Sequence, residues 1–440
     1  MRVSCIVTLP AQAALRTSAA AAFTANPLGF AMDTKPDKAG LIIDPTFSPL
    51  PIPSAQAGGI ALEAAGPQQA PVFVGRGTID VDRIHEIAAE EDGVGIFADP
   101  EIGTFTVCSG NPPVGATADV ARKLDTAQLL AKKLDGKGVA LAIMDTGINL
   151  AHLKGRGLKP KLSRKYGWAP PGSAWTPGSY PVDHGTMCAY DALIAAPKAT
   201  LLDFPILRST TPGGSVMSGF LSDAILAYSY LLSRLQNPSW PFRALVVNNS
   251  WGMYHPSWDF PAGHPGRYAD NPNHPFNLIV GTLARAGADI LFAAGNCGAD
   301  CPDGQCKGVV TDTITGANAH PDVLTLAGCD IDDQRVGYSS QGPGIAGMAP
   351  DKPDVTAYTH FLGSEAYGAG SPDSGTSTAC PVAAGCVAAL RTRLAPAKEP
   401  PASLFATIRA QALGKPGPGW NADYGTGIIR PVPVATVYGL

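Results

Sequence analysis

The chain has 440 residues, 45% of them hydrophobic and 15% charged, with 32 basic against 36 acidic side chains and a net charge of −4. It contains no run of 18 apolar residues and no basic cluster, so neither a membrane-spanning helix nor a nucleic-acid or anionic-membrane surface is expected. Length and composition fit a soluble globular chain with one large α/β domain and a smaller companion.

Residues 1–68 are rich in Ala, Pro and Gly with little periodicity, and read as a disordered leader or linker. At its start, Met1-Arg2, the apolar Val3–Leu9 and Pro10-Ala11-Gln12-Ala13 make a weak signal-peptide pattern whose short, interrupted core leans towards an intracellular protein. From residue 70 to 107 the order is strand (PVFVG), helix (VDRIHEIAAEE, with Ile84, Ile87 and Ala88 on one face) and strand (GVGIFADPEIGTFTV). The Gly/Pro-rich CSGNPPVGATAD follows, an accessible linker. A helical LDTAQLLAKKL leads into VALAIMDTG, an apolar run ending in Asp145 and Gly147, as a buried parallel strand does when it delivers a carboxylate to the sheet's carboxyl edge. The loop 149–181 carries Trp168 and Trp175, which either wall a cleft or pin the loop.

DHGTMCAYDALIAA puts His184 at the start of an apolar helix, and AAPKATLLDFPIL is the next strand. Gly213, Gly214 and Ser215 precede a helix over 220–235, and LVVNNSWG is a further strand ending at Ser250, Trp251 and Gly252. The segment 253–276 holds His255, His264 and His274 at irregular spacing, which favours solvent-facing loop histidines over metal ligands. LFAAGN ends at Asn296, and Cys297, Cys301 and Cys306 follow, open to a disulfide, to free thiols or, less naturally, to zinc. Cys188, Cys329, Cys380 and Cys386 sit in apolar settings and read as small core residues. In DSGTSTACPVAAGCVAAL, Gly375 and Thr376 form a tight turn and Ser377 opens a small-residue helix, with Pro381 near its first turn. A hydroxyl there sits beside unsatisfied N–H groups and the positive end of the helix, although a plain helix cap would also be serine. Serine needs a base to become a nucleophile, and His184 with Asp145 supplies one in the chain order Asp, His, Ser.

DTG, HGT and GTSTACP in this order resemble the subtilisin-like serine peptidase (subtilase) family, and the likeness extends from about Val72 to Ala435. It implies an α/β fold: a doubly wound, mostly parallel sheet with helices on both faces, preceded by a small α+β propeptide-like module. On this reading 69–115 is the inhibitory module and 116–440 the catalytic domain, although 70–107 would also fit an extra layer of the main domain. The resemblance makes Asp145, His184 and Ser377 the triad and Asn296 the oxyanion donor. It makes Gly213–Ser215, Ser250–Gly252, Ala294 and Gly295 the substrate groove. The implied reaction is endopeptidase hydrolysis of an extended polypeptide through an acyl-enzyme, without cofactor or metal, after self-cleavage near 107–121. A self-cleaving but self-inhibited binding module, or an esterase or amidase with the same triad, are the alternatives. The short connection after the histidine helix lacks the loop that holds a structural calcium in many secreted relatives.

Overall fold

The structure, a computed structural model, describes residues 2–10, 40–44, 46–47, 49–52, 72–85, 95–104, 107–108, 111–174, 176–210 and 218–440. Trp175 and the expected groove residues Gly213, Gly214 and Ser215 lie outside them.

Six strands open the chain: β1 (Arg2–Pro10), β2 (Ile42–Ile43), β3 (Leu50–Ile52), β4 (Val72–Asp80), β5 (Gly95–Ala98) and β6 (Glu101–Thr104). The first five form an antiparallel sheet in the order β2-β4-β1-β5, with β3 also on β4. Cys5 on β1 faces Gly77 on one side and Ala98 on the other. At residues 2–10, 42–43 and 50–52 this corrects the leader expected over 1–68, most of the rest of which lies outside the described residues. A short apolar run is as much the signature of a fully buried strand as of a weak signal core, and Cys5, Ile6 and Val7 are buried.

The body then runs α1 (Thr117–Lys123), α2 (Thr126–Ala131), β7 (Val139–Met144), α3 (Leu150–Gly155), β8 (Lys161–Leu162), α4 (His184–Ala192), β9 (Thr200–Phe204), β10 (Ser218–Phe220) and α5 (Leu221–Leu235). It continues with β11 (Ala244–Asn249), β12 (Trp251–Gly252), α6 (Pro275–Arg285), β13 (Ala288–Ala293), β14 (Leu324–Cys329) and β15 (Val355–Tyr358). It ends with β16 (Phe361–Leu362), β17 (Pro372–Asp373), α7 (Thr376–Arg391), α8 (Pro401–Ala410) and α9 (Pro431–Val437). Seven strands make a parallel sheet in the order β15-β14-β13-β11-β7-β9-β8. Its central strands are largely apolar because both faces are covered, with Asp203 of β9 and Asp289 of β13 buried among them. Val139, Leu141 and Ile143 pack into a core with α4 and α7, while Ala140, Ala142 and Met144 face a second core under α5 and α6. Ile6, Val74, Ile79 and Ile96 of the N-terminal sheet belong to that second core. The chain leaves β7 for β9 on one side and later reaches β11 on the other, so Asp145, directly after β7, emerges where the strand order reverses.

β6 lies between β10 and β12 as the middle strand of a small antiparallel sheet: Gly103 faces Ser218 and Gly252, and Thr104 faces Trp251. The segment 253–276 docks the N-terminal sheet. Ala98 N donates to Gly266 O at 2.8 Å, His274 Nε2 bonds Ala98 O at 2.8 Å, and the His264 ring lies 4.9 Å from that of His85. His264 and His274 are therefore buried, not solvent-facing as their spacing implied, because β5 runs along this loop. Trp168 stacks on Phe204 and pins its loop to the sheet.

Candidate active site

The glycines of DTG and HGT let two turns touch. A Cβ on Gly185 would come within 2.7 Å of Gly147 O, and the Gly185 N–H donates to Thr146 Oγ1 at 2.9 Å. Asp183 caps α4 by accepting from His184 N at 2.8 Å, and its other oxygen accepts from Arg208. The first turn of α4 is thereby held against the end of β7. There His184 Nδ1 meets both Asp145 oxygens, at 2.8 and 2.9 Å. Asp145 also accepts from Thr146 N at 2.7 Å, and both side chains are buried. A contact not anticipated from sequence braces this corner. Asp203, on neighbouring β9, accepts from Ile148 N at 3.1 Å and Gly178 N at 2.8 Å, and burial lifts its carboxyl to about 7. An acid inside the apolar run TLLDF was the available signal.

Ser377 is the second residue of α7, behind Gly375 at φ +84°. Pro381 lies in the second turn of that helix, not the first, and the carbonyl its missing N–H leaves unpaired, four residues back, is that of Ser377. That oxygen instead accepts from Ser250 Oγ at 2.9 Å and Cys188 Sγ at 3.5 Å. The Ser377 hydroxyl donates to Ser250 O at 3.3 Å. His184 Nε2 is buried without a hydrogen-bond partner. Asp145 and His184 are in direct contact, and Cys188 joins Ser377 to them. Its sulfur lies 3.5 Å from Asp145 Oδ2 and 3.7 Å from His184 Nδ1 as well as reaching Ser377 O. The spacing of four residues from His184, which puts both on one helix face, was the signal that could have raised Cys188 above a packing residue. Asp145, His184 and Cys188 offer three ligand atoms within 4.8 Å of one another. These atoms bond each other, and burial, then Asp145, push the Cys188 thiol well above its ordinary range.

Asn296 faces the same helix start. Its Oδ1 accepts from Thr376 N at 2.9 Å and Thr376 Oγ1 at 3.1 Å, and a Cβ on Gly375 would stand 2.9 Å from its Nδ2. The Gly295 amide donates to Thr376 Oγ1 at 3.0 Å and that of Ala294 to Leu326 O at 2.9 Å. Both amides are occupied in holding α7 and the sheet. Trp251 buries its ring against Phe276 and Phe292, so only its backbone and that of Gly252 meet β6. The cysteine cluster is resolved as two disulfides, Cys297–Cys306 and Cys108–Cys301, which removes the zinc alternative. The remaining five cysteines are free and buried.

The profile of the subtilase family matches residues 136–427. The chain is similar to the serine protease AprX of Bacillus subtilis (strain 168), with 28% identity over 276 residues covering 56% of this chain and 52% of that protein. It thus spans about half the length of the curated relative it matches. The matched residues hold all three motifs, one after β7 and the others at the starts of α4 and α7. The chain belongs to the subtilase family of serine peptidases.

Proposed function

We propose that the chain is a serine endopeptidase held in a self-inhibited state by its N-terminal sheet. His184 Nε2 takes the Ser377 proton, and Asp145 orients the ring through Nδ1 and stabilises the imidazolium that forms. The Ser377 N–H at the start of α7 and the Asn296 side-chain amide receive the oxyanion. A polypeptide adds itself as a strand between β10 and β12, where backbone pairing gives affinity. That same space is filled by β6, and this is the observation that carries the reading. Thr104 faces Trp251, the neighbour of Ser250, and its carbonyl accepts from the Tyr254 hydroxyl. The bond proposed for self-cleavage lies a step beyond Thr104 and before Cys108, at the upstream edge of the 107–121 stretch expected from sequence.

A lasting inhibited complex is favoured over rapid release by the way the module is anchored. Arg76 pairs with Asp223 at 3.1 Å and Asp44 at 2.9 Å, and Asp99 accepts from both N and Oγ of Ser222 at the start of α5. Two disulfides support an oxidising compartment over the intracellular leaning of the N-terminus. The experiment is intact mass and peptide turnover of wild type beside Ser377→Ala after incubation at neutral pH. Cleavage between 104 and 108 in wild type alone, followed by degradation of an unstructured protein, supports the endopeptidase. Cleavage without turnover supports the permanently inhibited module, and the absence of both overturns the triad assignment or the activation model. Faster turnover of small esters than of peptides would turn the reading to an esterase.

A further inference from the structure

Two buried acids near the reactive serine take no part in the reaction above. Asp191 lies in the last turn of α4, seven residues after His184, and Asp373 ends β17, four residues before Ser377. They are 0% and 1% exposed. Among the described residues no donor reaches either Asp191 oxygen, and the group they face is the Asp373 carboxyl. Asp373, by contrast, accepts from Ser364 N at 2.5 Å and from Ser364 Oγ at 2.6 Å, one bond on each oxygen.

Among the described residues nothing offers Asp191 a counter-charge. Cys188 and Tyr190 lie on its own helix, and Thr378 of α7 stands beside it with its hydroxyl directed at Ser374 O and Met187 Sδ. From the 363–371 loop come Ser364, Glu365 and Tyr367, and Tyr367 is half exposed. Arg156, after α3, is the nearby cation, and it is engaged by Glu365 and Gly363 O while favouring the charge on Asp373. Two carboxylates in contact away from water cannot both be charged, and one proton shared between them removes the conflict. Because Ser364 gives both of its donors to Asp373, the charge belongs there and the proton to Asp191.

We propose that Asp191 holds a proton and donates it to Asp373, fastening the turn that precedes Ser377 to the helix that carries His184; Asp191 is thus a positioning residue. The fastening is tight because α4 and α7 touch backbone to backbone: a Cβ on Gly385 would stand 2.2 Å from Ala192 O. When the proton leaves, like charges separate the two elements that must bring Ser377 to His184. The loss falls on kcat, since the β10–β12 groove is elsewhere. Burial, then the Asp373 charge, raise the Asp191 carboxyl well above its ordinary range. A folded state that keeps a proton the unfolded chain releases has full stability below the ordinary value, about 3.9, and loses it as pH rises towards the raised one.

The test is Asp191→Asn, whose amide still donates to Asp373 and cannot ionise. In the matured enzyme, a position that rests on the peptidase reading, the wild-type kcat falls on the alkaline side through a transition that Asp191→Asn lacks. Asp191→Ala lowers kcat by ~10- to 100-fold below that alkaline transition with KM little changed. In the inactive Ser377→Ala background, Asp191→Asn melts higher than its parent by ~2 °C or more at pH 8, and the gap closes near pH 4. An alkaline limb identical in wild type and Asp191→Asn, or a melting gap that does not vary with pH, overturns the proposal. The melting arm reads the carboxyl pair even if no hydrolysis is ever seen.

Discussion

The two ends of α7 are built on opposite terms. At its C-terminus Arg391 donates to both oxygens of Asp289, at 2.6 and 2.7 Å, and to Glu399 O, with both charged side chains wholly buried. Every strong donor and acceptor there has a match. At its N-terminus the carbonyl of Ser377 has no helical partner, the Ser377 hydroxyl makes a long 3.3 Å contact, and His184 Nε2 makes none. A buried ion pair with complete pairing fixes where the helix sits. Incomplete pairing at the other end leaves groups ready for a reacting bond, and it is tolerable because the far end does not move.

Exchanging a residue at either end should therefore cost different things. Ser377→Ala removes turnover by on the order of 10⁶-fold in kcat, the figure known for a subtilisin triad, with the melting temperature nearly unchanged. Arg391→Ala leaves Asp289 charged and unpaired, so it lowers stability by about 3–5 kcal/mol in denaturant unfolding. Protein that remains folded keeps its kcat/KM. Equal loss of activity and stability in both variants would erase the distinction between the ends. Asn296→Ala belongs to both sides of the comparison. It lowers kcat by about 10²- to 10³-fold, again a figure known for a subtilisin, with KM little changed. It also leaves Thr376 N and Oγ1 without their acceptor, so a modest drop in melting temperature accompanies the kinetic loss.

What was legible in the sequence follows the same division. DTG, HGT and GTSTACP could be read because their glycines and small residues answer local demands: Gly185 against Gly147 O, and Gly375 at positive φ before the serine. The apolar run VALAIM reads as a buried parallel strand for similar reasons, and the structure divides its residues between two cores. What escaped depends on partners far away in the chain. Arg2–Pro10 became a central strand only by pairing with Val72–Asp80, and Cys108 met Cys301 across 193 residues. Cys188 reads as a core residue and Asp191 draws no attention in the sequence, and only the structure brings Asp145, Ser377 and Asp373 to them.

The docked N-terminal sheet offers a smaller contrast, set by pH. His274 caps α6 by accepting from Phe276 N while its Nε2 bonds Ala98 O, an arrangement that requires a neutral ring, and burial lowers it to about 3. His264 is lowered as well, first by burial and then by His85. A histidine whose docked value is depressed supports docking fully above about 6.5, and that support is lost as pH falls towards about 3. Retention of the cleaved module in gel filtration should weaken below about pH 6, by at most about tenfold per pH unit for each such histidine. Retention independent of pH between 7 and 5 would mean that release leaves both rings equally buried.

The finest distinction is at Pro381. A proline inside an ordinary helix costs about 3 kcal/mol or more, because a backbone bond is lost and the ring crowds the carbonyl four residues back. Here that carbonyl is Ser377 O, and Ser250 Oγ and Cys188 Sγ have already taken it. Pro381→Ala should therefore stabilise the fold by less than about 1 kcal/mol, since a restored N–H would compete for an acceptor in use. The same competition pulls Ser377 O away from Ser250, the residue whose own carbonyl accepts the Ser377 hydroxyl. Activity should then fall while stability rises slightly, a pairing of signs that denaturant unfolding and steady-state kinetics on one preparation can read together. A gain near 3 kcal/mol with unchanged kcat would show that the open turn at the start of α7 serves packing alone.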